Sequence, residues 1–372
     1  LYLTSNEANS HPINGPETIS MQEHKVNAVV SHENELLLNT VQCFLKDEIY
    51  PHEDAVDRSG EVPLELGRQI EARAKEVGLF AANLPEAVGG GGLNYTSSSI
   101  VEREYGKTTH ALQSWIARPT ELLLACEGDQ VARYLDPCVT GEKRELFALT
   151  EPEAGSDVMG MKTNAKRDGR DWILNGSKHF ISGPVMPDFA IVFAATGIDE
   201  TPRGPRKRVT AFLVDVGLPG FDCREGHKCV SYRGYKTFQL SFDNVRLGPD
   251  QILGEEGRGL ELSGKWLGMG RIWVGATCCG KAERLMNMAA DWAANRKQFG
   301  KPIGTFQATG FRLADMAIGL RTADLLVTDA VRRADEGKMQ DMDAAMVKVY
   351  CSEMLNKVAD DTVQIFGGMG LM

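Results

Sequence analysis

The apolar residues of this chain change their period twice, which excludes a fold built from one kind of layer. From about residue 31, Leu36, Leu37, Val41, Phe44 and Leu45 recur at helical spacing. In the middle, Phe238, Leu240 and Phe242 alternate with Gln239, Ser241 and Asp243, the period of a half-buried strand. Then Phe306, Thr309, Leu313, Met316, Leu320, Ala323 and Val327 step by threes and fours, the seam of a helix in a bundle. This order predicts an α+β multidomain chain, with a helical N-terminal domain over 21–145, a middle β domain over 146–255 and a C-terminal helical bundle over 256–372. At 372 residues the chain exceeds the usual size of a single core. Residues 1–20 are polar and without period, and are expected to be a disordered or non-native extension, with Met21 as the natural start.

Local signals refine this outline. Pro51 is expected to end the first helix and Pro63 to open the next, which carries Leu66, Ile70, Ala74 and Leu79. Gly89 to Gly92 form a loop, because no Lys-Ser/Thr follows them as a P-loop requires. Helical texture returns over Ser97–Tyr105 and Pro119–Leu135. In the middle domain, Leu146–Leu149, Trp172–Leu174, Phe189–Phe193 and Thr210–Val216 read as strands of an antiparallel, barrel-like sheet. Asp168-Gly169 and Asn175-Gly176 read as turns flanking the second of these. Met346, Tyr350, Met354 and Val358 mark a core face on a late helix.

Composition removes whole classes of function. With 42% hydrophobic and 25% charged residues the chain reads as soluble and globular. A net charge of −10 argues against nucleic acid, and the basic run Arg203–Arg208 reads as a solvated loop. The eight cysteines show no zinc-binding spacing, so no metal is expected and they read as small buried hydrophobes in a reducing cytoplasm. No apolar run approaches the ~20 residues of a membrane span.

Chemistry points to Thr150-Glu-Pro-Glu-Ala-Gly-Ser-Asp157, which follows a strand end. Alone, its carboxylates read as a solvated turn; its hydroxyls and open amides also suit a flavin ring and a thioester. Leu174-Asn-Gly-Ser-Lys-His-Phe-Ile-Ser182, Asn295-Arg-Lys-Gln-Phe-Gly-Lys-Pro-Ile303 with Gln307, and Gln364-Ile-Phe-Gly-Gly-Met-Gly370 follow in order. Together the four motifs closely resemble the acyl-CoA dehydrogenase family, from about residue 31 to the last residue.

The resemblance implies a C-terminal four-helix bundle, one FAD per subunit and a homotetramer or homodimer. It implies an acyl-CoA substrate and electron transfer to an electron-transfer flavoprotein. By position, Phe147, Thr150, Ser156, Phe180 and Ser182 would contact the flavin, with Phe180 where many members carry Trp. Arg296, Gln298, Phe306, Gln307, Gln364, Gly367 and Gly368 would meet the pyrophosphate and adenine end, largely from a neighbouring subunit. Ser156 and Arg271 would face the CoA. Without the family, Arg296 reads as a helix-end cation, Gly367-Gly368 as a helix cap and Arg271 as one half of an ion pair. Trp115 and Arg118 would lie at the floor of the acyl pocket and suit a short, branched or polar acyl group.

The family's base, a Glu or Asp, lies beyond the final motif and so is expected past Met372; the alternative position carries Gly270. Glu151 and Glu153 belong to the flavin-side motif and are not assigned as bases. A flavin oxidase or monooxygenase of the same fold, and a non-catalytic acyl-CoA-binding homologue, are the competing readings.

Overall fold

The computed structural model describes residues 31–202 and 204–372. The expected extension over 1–20 and Arg203 of the basic run lie outside the described residues. Helix α1 (His32–Phe44) starts at Ser31, whose side chain accepts a hydrogen bond from the N–H of Asn34. It runs through a wide turn over Leu45–Ile49 and a tight one over Tyr50–His52 into α2 (Glu53–Ser59). Pro51 therefore does not end the helical path. It sits in the first turn of a new segment, where its missing N–H has no partner to lose.

Helix α3 (Leu64–Glu76) opens after Pro63 as expected, with Leu79 buried just past its end. Helix α4 (Tyr95–Tyr105) is capped by Asn94, and the short α5 (His110–Gln113) by Thr109. The helix expected over Pro119–Leu135 is instead a tight turn over Glu121–Ala125 and a wide one over Val131–Leu135, leading into α6 (Asp136–Thr140). Gly128, with φ of +53°, breaks the path between the two turns.

The middle domain is one seven-stranded sheet. Its strands are β1 (Glu145–Ala148), β2 (Asn164–Asp168), β3 (Asp171–Gly183), β4 (Phe189–Thr201), β5 (Gly204–Asp215), β6 (Phe221–Glu225) and β7 (Lys236–Leu247). The spatial order is β1-β4-β2-β3-β7-β6, with β5 paired to the other edge of β4. Most pairings are antiparallel, but β1 runs parallel to β4, because the intervening β2–β3 hairpin returns the chain in the same sense. The basic run is strand rather than loop, since Arg206 and Arg208 lie in β5 opposite Asp199 and Gly197.

Strand β4 shows why its sequence is a continuous apolar run. Phe189, Ile191 and Phe193 join the core of the N-terminal helices, while Ala190, Val192 and Ala194 face the inside of the curled sheet. Both faces are covered, so both must be apolar. Asp168-Gly169 makes the expected β2–β3 turn, with Gly169 at φ +62°. Asn175-Gly176 does not turn the chain. It forms a bulge within β3, where an added Cβ on Gly176 would come within 2.5 Å of Thr163.

The C-terminal domain contains α7 (Gly259–Asn295), a tight hairpin of β8 (Lys297–Gln298) and β9 (Lys301–Pro302), then α8 (Gln307–Asp335) and α9 (Asp341–Phe366). Met316, Leu320, Ala323 and Val327 of the α8 seam are buried as expected. On α9 the expected core face holds only in its second half. Val347 and Cys351 are buried, whereas Met346 and Tyr350 face outward; Met354 and Val358 remain inside. The three long helices are joined by α4, which packs against both α7 and α8.

That packing is unusually close. A Cβ on Gly280 would lie 1.7 Å from the carbonyl oxygen of Arg103, and one on Gly106 2.1 Å from that of Thr277. Arg103 then spans three helices, donating to Glu283 at 2.8 Å on α7 and through two nitrogens to Asp324 on α8. Gly280→Ala is expected to destabilise the protein by about 1–3 kcal/mol through forced separation of α4 and α7. Gly264→Ala, where nothing lies within 4 Å of the new methyl, serves as the control and should not destabilise. Denaturant midpoints compare them, and equal midpoints would contradict this contact.

Candidate active site between the three domains

The end of β1 and the centre of β3 are held together by one buried ion pair. Lys178 Nζ donates to Glu151 Oε1 at 2.8 Å and to the carbonyl of Leu149 at 2.9 Å. Both side chains are almost wholly buried. Glu151 also accepts from the N–H groups of Lys162 and Thr163, and His179 N–H donates to the carbonyl of Thr150. Burial works against the Glu151 carboxylate, but these hydrogen bonds together hold its pKa below the ordinary value. Glu151 is therefore a structural anchor rather than a solvated turn residue. Glu153 is exposed and pairs with Lys162.

This anchor presents an aromatic surface. A register shift between Lys178 and Ile181 takes Phe180 out of strand alternation, with φ at +55° and the residue 58% exposed. A bulky residue in the left-handed region is strained, and such strain marks a site where a side chain is re-aimed for use. Phe147 packs against Trp266 of α7 with ring centroids 4.5 Å apart, tying the sheet to the bundle.

Phe147, Thr150, Phe180 and Ser182 line one cavity of about 1170 Å³. Trp266 and Gly270 from α7, and Glu102, Tyr105, His110 and Arg118 from the N-terminal domain, complete its wall. All three domains thus meet at the cavity, which is large enough for a sizeable organic ligand. Burial pulls the His110 imidazole down to about 4, with a hydrogen bond to Gln113 acting in the opposite sense. Its ring packs against Tyr232 and Tyr235 at 5.0 and 4.5 Å. Glu102 is buried and pairs with Arg118; burial raises its pKa, and the guanidinium offsets part of that rise.

Several positions singled out in the sequence lie elsewhere. Trp115 is buried against Gly67 of α3 and does not line the cavity, whereas Arg118 does. Ser156 and Arg271 are exposed and outside the cavity wall, and Arg271 makes no ion pair among the described residues. Arg296 caps the C-terminus of α7, Gln298 lies in the hairpin that follows, and Phe306 and Gln307 are the N-cap and first residue of α8. Gln364 lies in the last turn of α9, and Gly367 caps that helix with φ of +64° beside Gly368. Stacked rings of Trp292 and Phe366, 5.0 Å apart, bring these two helix ends together. They form a group apart from the cavity wall. Glu102, Tyr105 and His110 are not among the residues the motifs point to; the charged Glu-Arg-Glu-Tyr run inside α4 is the available signal for the first two, and His110 has none.

Domain profiles described as the N-terminal, middle and C-terminal domains of acyl-CoA dehydrogenase match residues 31–142, 146–245 and 257–372. The chain belongs to the acyl-CoA dehydrogenase family. It is 34% identical over 346 residues to a subunit of the caffeyl-CoA reductase–Etf complex of Acetobacterium woodii, covering 91% of this chain and 89% of the relative. The solved butyryl-CoA dehydrogenase of Megasphaera elsdenii superposes with a TM-score of 0.80 at 31% identity, covering 92% of this chain and 90% of that one. A glutaryl-CoA dehydrogenase of Mycobacterium smegmatis in complex with FADH2 gives a TM-score of 0.83 at 26% identity, covering 94% and 88%.

FAD is the cofactor of this family, and the wall described here fits a flavin. Phe180 is exposed and conformationally strained at the cavity, and the hydroxyls of Thr150 and Ser182 stand in the same wall. If the buried ion pair sets this wall, Lys178→Met leaves Glu151 buried and unpaired and is expected to cost about 3–5 kcal/mol. Adding Glu151→Gln should recover part of that loss in chemical denaturation. A double variant no more stable than the single one would contradict the assignment.

Proposed function

We propose that this protein binds FAD and an acyl-CoA thioester in the three-domain cavity and oxidises the thioester between its α and β carbons. The observation that carries this reading is the shared wall, in which strained Phe180 and Thr150 of the sheet face the same space as α7 and α4. Bound FAD supplies the acceptor for a hydride from the β carbon. Phe147 and Phe180 pack against the flavin, and Thr150 and Ser182 hydrogen-bond it. Ser156 serves both the flavin and the CoA, and Arg271 the CoA side. Arg296, Gln298, Phe306, Gln307, Gln364, Gly367 and Gly368 hold the pyrophosphate and adenine end across a subunit contact. Arginine suits that task because its planar fork of donors matches phosphate oxygens.

Removing the α proton requires a carboxylate within reach of the thioester. Among the cavity carboxylates, Glu53 is held by Arg284 and Thr108, Glu145 accepts from the N–H of Thr120, and Glu102 is paired with Arg118. We assign the base to none of these. Gly270 lines the cavity, and an added Cβ there would meet nothing within 4 Å. In the proposed complex the thioester α carbon lies beside this position.

An electron-transfer flavoprotein is the proposed acceptor, supported by the relative named as part of an Etf complex. A homotetramer or homodimer is supported by exposed apolar side chains on the bundle, among them Phe311, Ile318, Met342 and Val349. A cytoplasmic location is supported by eight cysteines that are all free. No helix among the described residues is long and apolar enough to cross a membrane.

Anaerobic titration of the FAD-loaded protein with a panel of acyl-CoA thioesters tests the reading, with loss of oxidised-flavin colour expected for at least one. In the 372-residue chain, Gly270→Glu is expected to speed that loss by about 10²-fold or more. No colour loss with any thioester, in either protein, would overturn the dehydrogenase reading.

A further inference from the structure

The N-terminal wall of the cavity carries polar groups that the protein itself does not satisfy. Glu102 and Tyr105 are one turn apart on α4 and share a face. Both line the cavity and are almost fully buried, at 3% and 1% exposure. Glu102 Oε2 and the Tyr105 hydroxyl have no hydrogen-bond partner among the described residues. Buried polar groups are nearly always paired, so two orphans on one cavity-lining face call for a partner from outside the chain.

Arg118 narrows what that partner is. It engages Glu102 Oε1 through one nitrogen, and its remaining donors make no hydrogen bond among the described residues. Its side chain is one-third exposed, at 34%, and lines the same cavity. Glu121 lines the cavity too, and no hydrogen bond to its carboxylate occurs among the described residues. The wall therefore offers both a donor, Arg118, and acceptors, Glu102 and Glu121, around one small region. An aliphatic chain end would leave all of them unpaired. A carboxylate would satisfy Arg118 but bring a third acid to a site that already holds two acids and one cation. A hydroxyl satisfies both kinds of group at once: its oxygen accepts from Arg118 or Tyr105, and its O–H donates a hydrogen bond to a carboxylate.

We propose that the acyl group bound here carries a neutral hydroxyl, alcoholic or phenolic, read by Glu102, Tyr105, Arg118 and Glu121. The proposal rests on the acyl-CoA reading of the cavity and specifies its substrate class. It assigns these four residues to specificity and none of them to the proton or hydride transfer.

The test uses the FAD-loaded protein and matched CoA thioesters that differ only at the distal end, with methyl, hydroxyl or carboxylate, at several chain lengths. Phenylpropionyl-CoA and its para-hydroxy derivative extend the series to phenols. Dissociation constants are measured anaerobically by calorimetry and by perturbation of the flavin spectrum. At one or more lengths the hydroxyl member should bind about tenfold tighter than both its partners, the scale of a hydrogen bond to a charged group. Tyr105→Phe, which removes a hydroxyl with no partner in the fold, should shrink that ratio, as should Glu121→Gln. Equal or tighter binding of the methyl member at every length would overturn the proposal. So would tightest binding of the carboxylate, or a hydroxyl preference that neither variant changes. Failure of every thioester to bind would overturn the acyl-CoA reading itself, an outcome distinct from equal binding by all.

Discussion

The site depends on how closely α4 can approach α7. Two glycines, Gly106 and Gly280, remove side chains where each helix meets a backbone carbonyl of the other. That contact brings Glu102 and Tyr105 of the N-terminal domain into the same cavity wall as Gly270 and Trp266 of the bundle. A methyl at either glycine would push against backbone, which cannot rotate away as a side chain can. Arg103 secures the same crossing electrostatically, since its guanidinium is paired on two sides by Glu283 and Asp324. Most of its charge-assisted bonds are shielded from water, so they count for more than an exposed ion pair would.

The sheet contributes the third wall by a different device. One buried lysine, Lys178, fastens the end of β1 to β3, and the bulge beside it turns Phe180 outward. A buried ion pair is weak evidence for stability, because desolvating two charges offsets their attraction. Its value here is positional. It fixes which way the strand end carrying Thr150 faces, and it does so with hydrogen bonds that a pair of apolar residues could not supply.

The legible part of the fold was the part written in local pattern. The continuous run Phe189–Phe193 marks a strand and Asp168-Gly169 marks a turn, and both are present; that the strand is covered on both faces emerges only from the packing. Asn175-Gly176 carried the same turn chemistry, but pairing with β7 on either side absorbs it as a bulge. On α9, Met346 and Tyr350 have apolar character yet face outward, because Val347 meets Gly275 of α7 and fixes the helix's rotation. Of the site, the motifs pointed to Phe147, Thr150, Phe180 and Ser182, which do share a cavity. Glu102 and Tyr105 were not legible as cavity residues. Their place depends on a helix crossing between distant segments, and no local period records it. Trp115 is expected at the pocket floor from the family resemblance alone, and its packing against Gly67 depends on a contact between distant segments.

In the proposed function one cavity, walled by all three domains, holds the flavin and the acyl group together. The most direct measurement is a crystal structure of the FAD-loaded protein with a non-reactive thioether analogue of an acyl-CoA. The flavin ring is expected against Phe180 and Thr150, the thioether beside Gly270, and the acyl end directed to Arg118. An acyl chain lying outside this cavity, or a flavin ring seated away from Phe180, would contradict this reading.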